Sequence, residues 1–138
     1  MSIDALHGFL DEVFPQLSDG GGRQVVIEAL TPGRVRVRQR YAERSLRPGG
    51  TISGPTMMGL ADHAMYVLVL AHIGPEALTV TTNLSINFMR KPGPADLLAD
   101  ARLLKLGKRL AVGDISLYSD GADEMVAHVT CTYSIPGG

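Results

Sequence analysis

The segment from Pro55 to Ile73 constrains this chain more than any other. It reads Pro-Thr-Met-Met-Gly-Leu-Ala-Asp-His-Ala-Met-Tyr-Val-Leu-Val-Leu-Ala-His-Ile and is apolar almost all the way round. A helix without a polar face has to be buried on most of its sides. Pro55 suits a first helical turn, where its missing N–H costs nothing, and Gly74-Pro75 ends the run. Asp62, His63 and His72 interrupt the stretch and make it a poor membrane span. The rest of the fold must therefore supply a cover for this helix.

The flanking segments supply strands. Before them, Ile3, Leu6, Phe9, Leu10, Val13, Phe14 and Leu17 have the spacing of an amphipathic helix, closed by Pro15 and the Ser-Asp-Gly-Gly-Gly run at 18–22. Two strand candidates follow at 24–30 and 34–40, joined by a turn at Thr31-Pro32-Gly33. Residues 41–51 are polar and glycine-rich and read as a loop. Beyond the long helix come four more strand candidates, at 79–89, 96–106, 110–119 and 124–135, with short turns between them. The first alternates cleanly, placing Val80, Thr82, Leu84, Ile86 and Phe88 on one face and Thr81, Asn83, Ser85 and Asn87 on the other. Short turns imply antiparallel pairing, here a four-stranded meander. The chain thus reads as an α+β protein in which a six-stranded antiparallel sheet is covered by one long helix, with a short N-terminal helix beside it. The helix is apolar on too many sides for one sheet to bury, so a homodimer is expected.

Composition narrows the function. At 138 residues and 45% hydrophobic content, the chain suits one domain, 1–138, with an ordinary core. A net charge of −1 gives no basic surface for nucleic acid or an anionic membrane. The absence of tryptophan and the 5% aromatic content argue against base-stacking platforms. Cys131 stands alone in an apolar stretch and reads as inert packing. The first residues show no charged segment followed by an apolar core, and a soluble, cytoplasmic protein is expected.

Asp62 is the anomaly of the long helix. A bare carboxylate in an apolar setting costs on the order of several kcal/mol unless it is paired, hydrated or neutralised. A structural carboxylate would cap or bond a neighbouring element, but this segment has no polar face to solvate one. Ahead of the helix, Arg47-Pro48-Gly49-Gly50-Thr51-Ile52-Ser53-Gly54-Pro55 is a glycine-rich approach to a helix N-terminus. Backbone N–H groups there can stabilise a developing oxyanion. Pro55 has no N–H, so the donor is Gly54 or Thr56. Asp62 lies eight residues beyond Gly54, which is about 12 Å along a helix axis. One carbonyl cannot reach both in a single chain, but it could if two such helices ran antiparallel across a dimer.

These pieces together resemble the hotdog-fold acyl-CoA thioesterases of the phenylacetate-degradation (PaaI) type. The resemblance runs from about Gly49 to Pro136. It rests on Gly50-Thr51-Ile52-Ser53-Gly54-Pro55-Thr56-Met57-Met58-Gly59-Leu60-Ala61-Asp62, on Val80-Thr81-Thr82-Asn83-Leu84-Ser85-Ile86-Asn87-Phe88-Met89-Arg90, and on the turn Leu106-Gly107-Lys108-Arg109. It implies a helix wrapped by a curved sheet, a dimer often doubled to a homotetramer, and hydrolysis of acyl-CoA without metal or cofactor, coenzyme A being part of the substrate. By the same resemblance Asp62 attacks the thioester or activates water, the Gly54 N–H polarises the carbonyl, and Thr81 supports the carboxylate or the water. Ser53, Thr56 and Met58 fall at the substrate, with Met57 and Met65 as further deformable lining. Arg90, Lys108 and Arg109 fall where the nucleotide phosphates of coenzyme A would lie, and are otherwise solvated turn charges. Two positions depart from the family's pattern. Its usual His-Gly-Gly is Ser53-Gly54-Pro55, and its asparagine or glutamine is Arg47. The alternative is therefore a non-catalytic acyl-CoA or fatty-acyl binding protein using the same pocket. His63 reads as a packing or interface histidine, and His63, His72 and His128 form no arrangement suited to a dehydratase or hydratase.

Overall fold

A computed structural model describes residues 1–14, 24–42, 46–47 and 51–137, with backbone alone at 46, 47 and 51. The apolar segment forms helix α2, Gly54–Ile73. Ser53 caps it, its hydroxyl accepting from the Thr56 N–H, and Pro55 lies in the first turn. Gly74 ends it at φ 94°, a left-handed conformation that glycine adopts without a Cβ clash, and donates its N–H to Leu70 O. From Ala64 to Leu70 every residue is buried.

Two layers bury it. One is a six-stranded antiparallel sheet, in the order β1-β2-β6-β7-β8-β5. Its strands are β1 Val25–Thr31, β2 Arg34–Gln39, β5 Val80–Phe88, β6 Leu97–Leu106, β7 Leu110–Ser119 and β8 Met125–Ser134. The other is helix α1, Ile3–Val13, capped by Ser2, which packs Leu6 and Leu10 into the same core. The N-terminal ammonium donates to Ala71 O at 2.7 Å and ties α1 to the far end of α2. The C-terminal half of α2 is thus covered within one chain, which narrows the sequence expectation. Apart from its last turn, where His72 is exposed, the helix is open along its N-terminal half, with Pro55, Met58 and Gly59 exposed and Asp62 and His63 partly so. The amphipathic spacing ends as helix at Val13, and the stop signals at Pro15 and 18–22 lie outside the described residues.

Three further expectations change. The last four strands are not a four-stranded meander, because only β6, β7 and β8 run as one. β5 crosses to the far side and pairs with β8, which places β2 next to β6 and leaves β5 as an edge. The segment read as a loop at 41–51 contains a second, two-stranded sheet, in which β3 Leu46–Arg47 pairs with β4 Thr51–Ile52. And the alternation along β5 is broken by a register shift between Thr81 and Asn83. Leu84 and Ile86 face inward opposite Cys131 and Val129, while Asn83, Ser85 and Asn87 face outward. Thr81 pairs with Tyr133 instead and points inward, because a bulge re-aims a side chain relative to simple alternation.

The inner face of the sheet is built from small residues where α2 comes closest. A Cβ on Gly113 would lie 2.7 Å from Arg102 O and 2.7 Å from Met65 Sδ, so a backbone carbonyl and a core side chain fill that space. The outer face carries charges in cross-strand pairs. Arg36 is bidentate to Asp100, Arg102 is bidentate to Asp114, and Arg38 reaches Glu28, Asp96 and Asp120. By length and hydropathy α2 could cross a membrane, but here it is the helix that the sheet wraps.

Candidate active site

Asp62 lies where α2 passes from open strip to core, with its side chain on the wall of a cleft of about 730 Å³. Two hydroxyls hold it. Thr81 Oγ1 donates to Oδ1 at 2.5 Å, and Tyr133 Oη donates to the same oxygen at 2.8 Å and to the Asp62 carbonyl at 2.9 Å. Oδ2 accepts no bond among the described residues, so the carboxylate has one anchored oxygen and one uncommitted. Burial of Tyr133 pushes its phenol well above the ordinary range, and it stays an O–H donor. Tyr66 and Phe14 continue an aromatic wall from Tyr133, with ring centroids 6.2 Å and 5.7 Å apart in turn. Tyr66 Oη donates to Ala77 O.

His63 also lines this cleft rather than only packing. Burial lowers its pKa to about 4 against the opposing pull of Asp62, so the imidazole is neutral near pH 7. Cys131 is buried, and burial pushes its thiol up to about 12, which makes it poor as a nucleophile.

Gly54 is elsewhere. It lines a second cleft, of about 470 Å³, with Ile52, Met57, Phe88, Met89 and Arg90. Between Gly54 and Thr56 as donors, the cap decides. The Thr56 N–H is taken by the Ser53 hydroxyl, and the Met57 N–H donates to Ser53 O. The Gly54 N–H has no acceptor among the described residues and is the available donor of the first turn. The Phe88 ring closes on Gly54, 3.3 Å from where a Cβ would sit.

The remaining sequence candidates divide between these places. Ser53 is occupied by its cap and by a 2.8 Å hydrogen bond with Thr56, which itself lines the Asp62 cleft. Met57 lies in the Gly54 cleft, Met65 is buried against Gly113, and Met58 is exposed and lines neither cleft. Arg90 sits with Gly54 and is ion-paired to Glu124. Lys108 and Arg109 lie on the β6–β7 turn, at the opposite end of the sheet from Arg90, and line neither cleft. Arg109 O accepts from the Ile135 N–H just past Tyr133, which puts that turn beside the Asp62 end. Tyr133 is the residue the sequence reading misses. Its position in an apolar strand looks like core, and only the β5–β8 register brings it opposite Thr81.

A single long helix wrapped by a six-stranded antiparallel sheet defines a hotdog fold, and this one carries a hydroxyl-anchored carboxylate on the helix. Residues 49–126 match the family model of the thioesterase superfamily, and the chain belongs to that family. A solved structure from Silicibacter sp. TM1040, described as a "putative thioesterase", is 55% identical, with a TM-score of 0.89 over 99% of this chain and 92% of that one. Another, from Ralstonia eutropha JMP134 and described as related to phenylacetic acid degradation, is 25% identical, with a TM-score of 0.76 over 90% and 89% of the two chains. A curated protein of Saccharolobus solfataricus, described as a "putative esterase", is 29% identical over 80% of this chain and 73% of its own length. The chain is thus a thioester hydrolase of the PaaI-like hotdog group.

Proposed function

We propose that the protein hydrolyses a small or medium acyl-CoA to the free acid and coenzyme A, at a site shared between two subunits. The observation that carries this reading is the pair of hydrogen bonds from Thr81 and Tyr133 onto one oxygen of Asp62. They hold the carboxylate in one orientation and leave Oδ2 to face the cleft. A water beside Oδ2 gives up a proton to it as its oxygen bonds to the thioester carbonyl carbon. The carbonyl oxygen gathers negative charge, which a backbone N–H stabilises. The tetrahedral intermediate then collapses, the C–S bond breaks, and the thiolate leaves with the proton that Asp62 carried. Direct attack by Oδ2, giving an anhydride that water then opens, uses the same oxygen.

The N–H comes from Gly54 of the partner subunit. Within one chain Gly54 and Asp62 line different clefts, eight residues apart on one helix, or about 12 Å. Support for a homodimer lies in what the fold leaves open, namely the strip Pro55, Met58 and Gly59 on α2 and the edge strand β5 beside it. Exposed Val80, Phe88 and Met89 make that edge apolar, and unpaired apolar edges recruit another strand. An antiparallel pairing of two such edges brings Gly54 and Arg90 of the partner subunit toward Asp62, with Lys108 and Arg109 nearby. The three cations then reach one coenzyme A from two chains.

Ser53 in place of a histidine favours the second reading, a binding protein, because its hydroxyl is occupied by the helix cap. Thiol release from short, medium, long and aromatic acyl-CoAs, compared between native protein and Asp62→Asn, decides between them. A loss of about a hundredfold in kcat with the fold intact is expected for removal of the carboxylate. Unchanged release in the variant would overturn the site. Acyl-CoA binding without any release would establish the binding protein.

A further inference from the structure

The β6–β7 hairpin ends in a run of which coenzyme A recognition would use only Lys108 and Arg109. It reads Leu104-Lys105-Leu106-Gly107-Lys108-Arg109-Leu110. Leu104, Leu106 and Leu110 are 54%, 42% and 50% exposed, and the three cations among them are exposed as well. Elsewhere on the outer face of the sheet, Arg36, Arg38 and Arg102 are each paired with a carboxylate. Lys105, Lys108 and Arg109 have no carboxylate partner among the described residues. No aspartate or glutamate stands between Asp100 and Asp114, and those two are held by Arg36 and Arg102. The chain's net charge of −1 averages over this tip, which gathers three cations within Lys105 to Arg109.

Exposed leucines beside unpaired cations suit a partner with an anionic surface and apolar groups behind it. β8 separates β7 from the β5 edge, so pairing of two β5 edges does not use this tip. A second copy meeting the tip symmetrically would set the same cations against one another. The two sides of the hairpin favour a lipid surface over a protein. Leu106 pairs with Ala111, a core residue, and lies on the inner side. Leu110, one residue before Ala111, lies on the outer side beside Ser134. A rigid protein surface meets one side of a hairpin, whereas a lipid layer can close around both. The long stems of lysine and arginine let their charges stay with the headgroups while the leucines enter below them.

We propose that the β6–β7 hairpin docks on an anionic phospholipid surface, with Lys105, Lys108 and Arg109 at the headgroup phosphates and Leu104, Leu106 and Leu110 at the acyl boundary. The docking stands independently of the thioesterase reading. Where both hold, the Asp62 end lies next to the membrane, because Arg109 O accepts from the Ile135 N–H just past Tyr133, which bonds Asp62. Lipid phosphates and those of coenzyme A present the same chemistry to Lys108 and Arg109, so Lys105 and the leucines carry the distinction.

The test is sedimentation of the full chain with vesicles of phosphatidylcholine alone, and of phosphatidylcholine and phosphatidylserine in equal parts. It compares native protein, Lys105→Glu and the double variant Leu106→Ser/Leu110→Ser. Native protein is expected to bind the mixed vesicles about tenfold or more tighter than phosphatidylcholine alone, and to be released by salt. Each variant is expected to lose about tenfold in affinity for the mixed vesicles. Its melting temperature should change little, because the substituted side chains are exposed. Equal binding to both vesicles, or mixed-vesicle binding that survives the double leucine variant, overturns the proposal. Failure to bind either also overturns it, and retention by an immobilised acyl-carrier protein would then make an acidic protein the occupant. A native oligomer that the double variant reduces in size overturns it as well, and assigns the tip to a second copy.

Discussion

At the scale of single residues, the proposed reaction depends on which oxygen of Asp62 is held. Thr81 and Tyr133 both bond Oδ1, so rotation about the last side-chain bond would break two hydrogen bonds at once. In the proposed reaction Tyr133 is a positioning residue, since it would act on substrate through Asp62. Tyr133→Phe removes one charge-assisted bond and keeps the ring that packs against Tyr66. Such bonds contribute about 1.5–3 kcal/mol, and a fall in kcat of roughly tenfold with KM nearly unchanged is expected. A purely structural tyrosine would lower the melting temperature and leave kcat alone, so the two measured together separate the roles. Asp62 was legible in the sequence because a carboxylate stands out in an apolar helix. Tyr133 was not, because a tyrosine ending an apolar strand looks the same whether it packs or positions. Thr81 was named by resemblance, but simple alternation put it on the wrong face, and only the bulge turns it inward.

At the scale of elements, close approach of α2 to the sheet sets the site. Gly113 permits it, because both the Arg102 carbonyl and Met65 Sδ occupy the place of a Cβ. Neither can yield cheaply, the first being backbone and the second a buried side chain. Gly113→Ala is therefore expected to destabilise by about 1–3 kcal/mol, read as a shift in the urea midpoint with the slope unchanged. An unaltered midpoint would show that the sheet flexes freely there. Nothing in the sequence flags this glycine, since a glycine inside a strand carries no record of what faces it. The elements themselves were readable, because apolar periodicity and turn residues are local signals. The β3–β4 pair was not, as two residues a side are too short to show alternation.

At the scale of the molecule, the order of strands decides which surfaces remain open. β5 lies at the edge beside the open half of α2, and Gly54 and Asp62 line different clefts of one chain, so the proposed reaction requires a second copy. Complementation tests this. Gly54→Pro removes the N–H at a position where Ser53, extended at φ −69° and ψ 153°, already has the conformation that precedes proline. Asp62→Asn and Gly54→Pro proteins, each inactive alone, are expected to recover about a quarter of native activity when dissociated and remixed. Half of the dimers are then mixed, and each of those has one intact site of two. No recovery, with mixed dimers verified, would place both groups in one chain's site.

The sequence by itself determined the elements, the burial of the long helix and the oddity of Asp62, because each is written in residues a few positions apart. The tertiary structure decided which face Thr81 presents and that Tyr133 holds the carboxylate. It also decided that the sheet and α1 together bury the C-terminal half of α2 and leave an open strip along its N-terminal half. These depend on strand register and crossover, which bring together residues as far apart as Asp62 and Tyr133. Local sequence has no term for such pairings, since a shift of one residue in register turns every side chain to the opposite face.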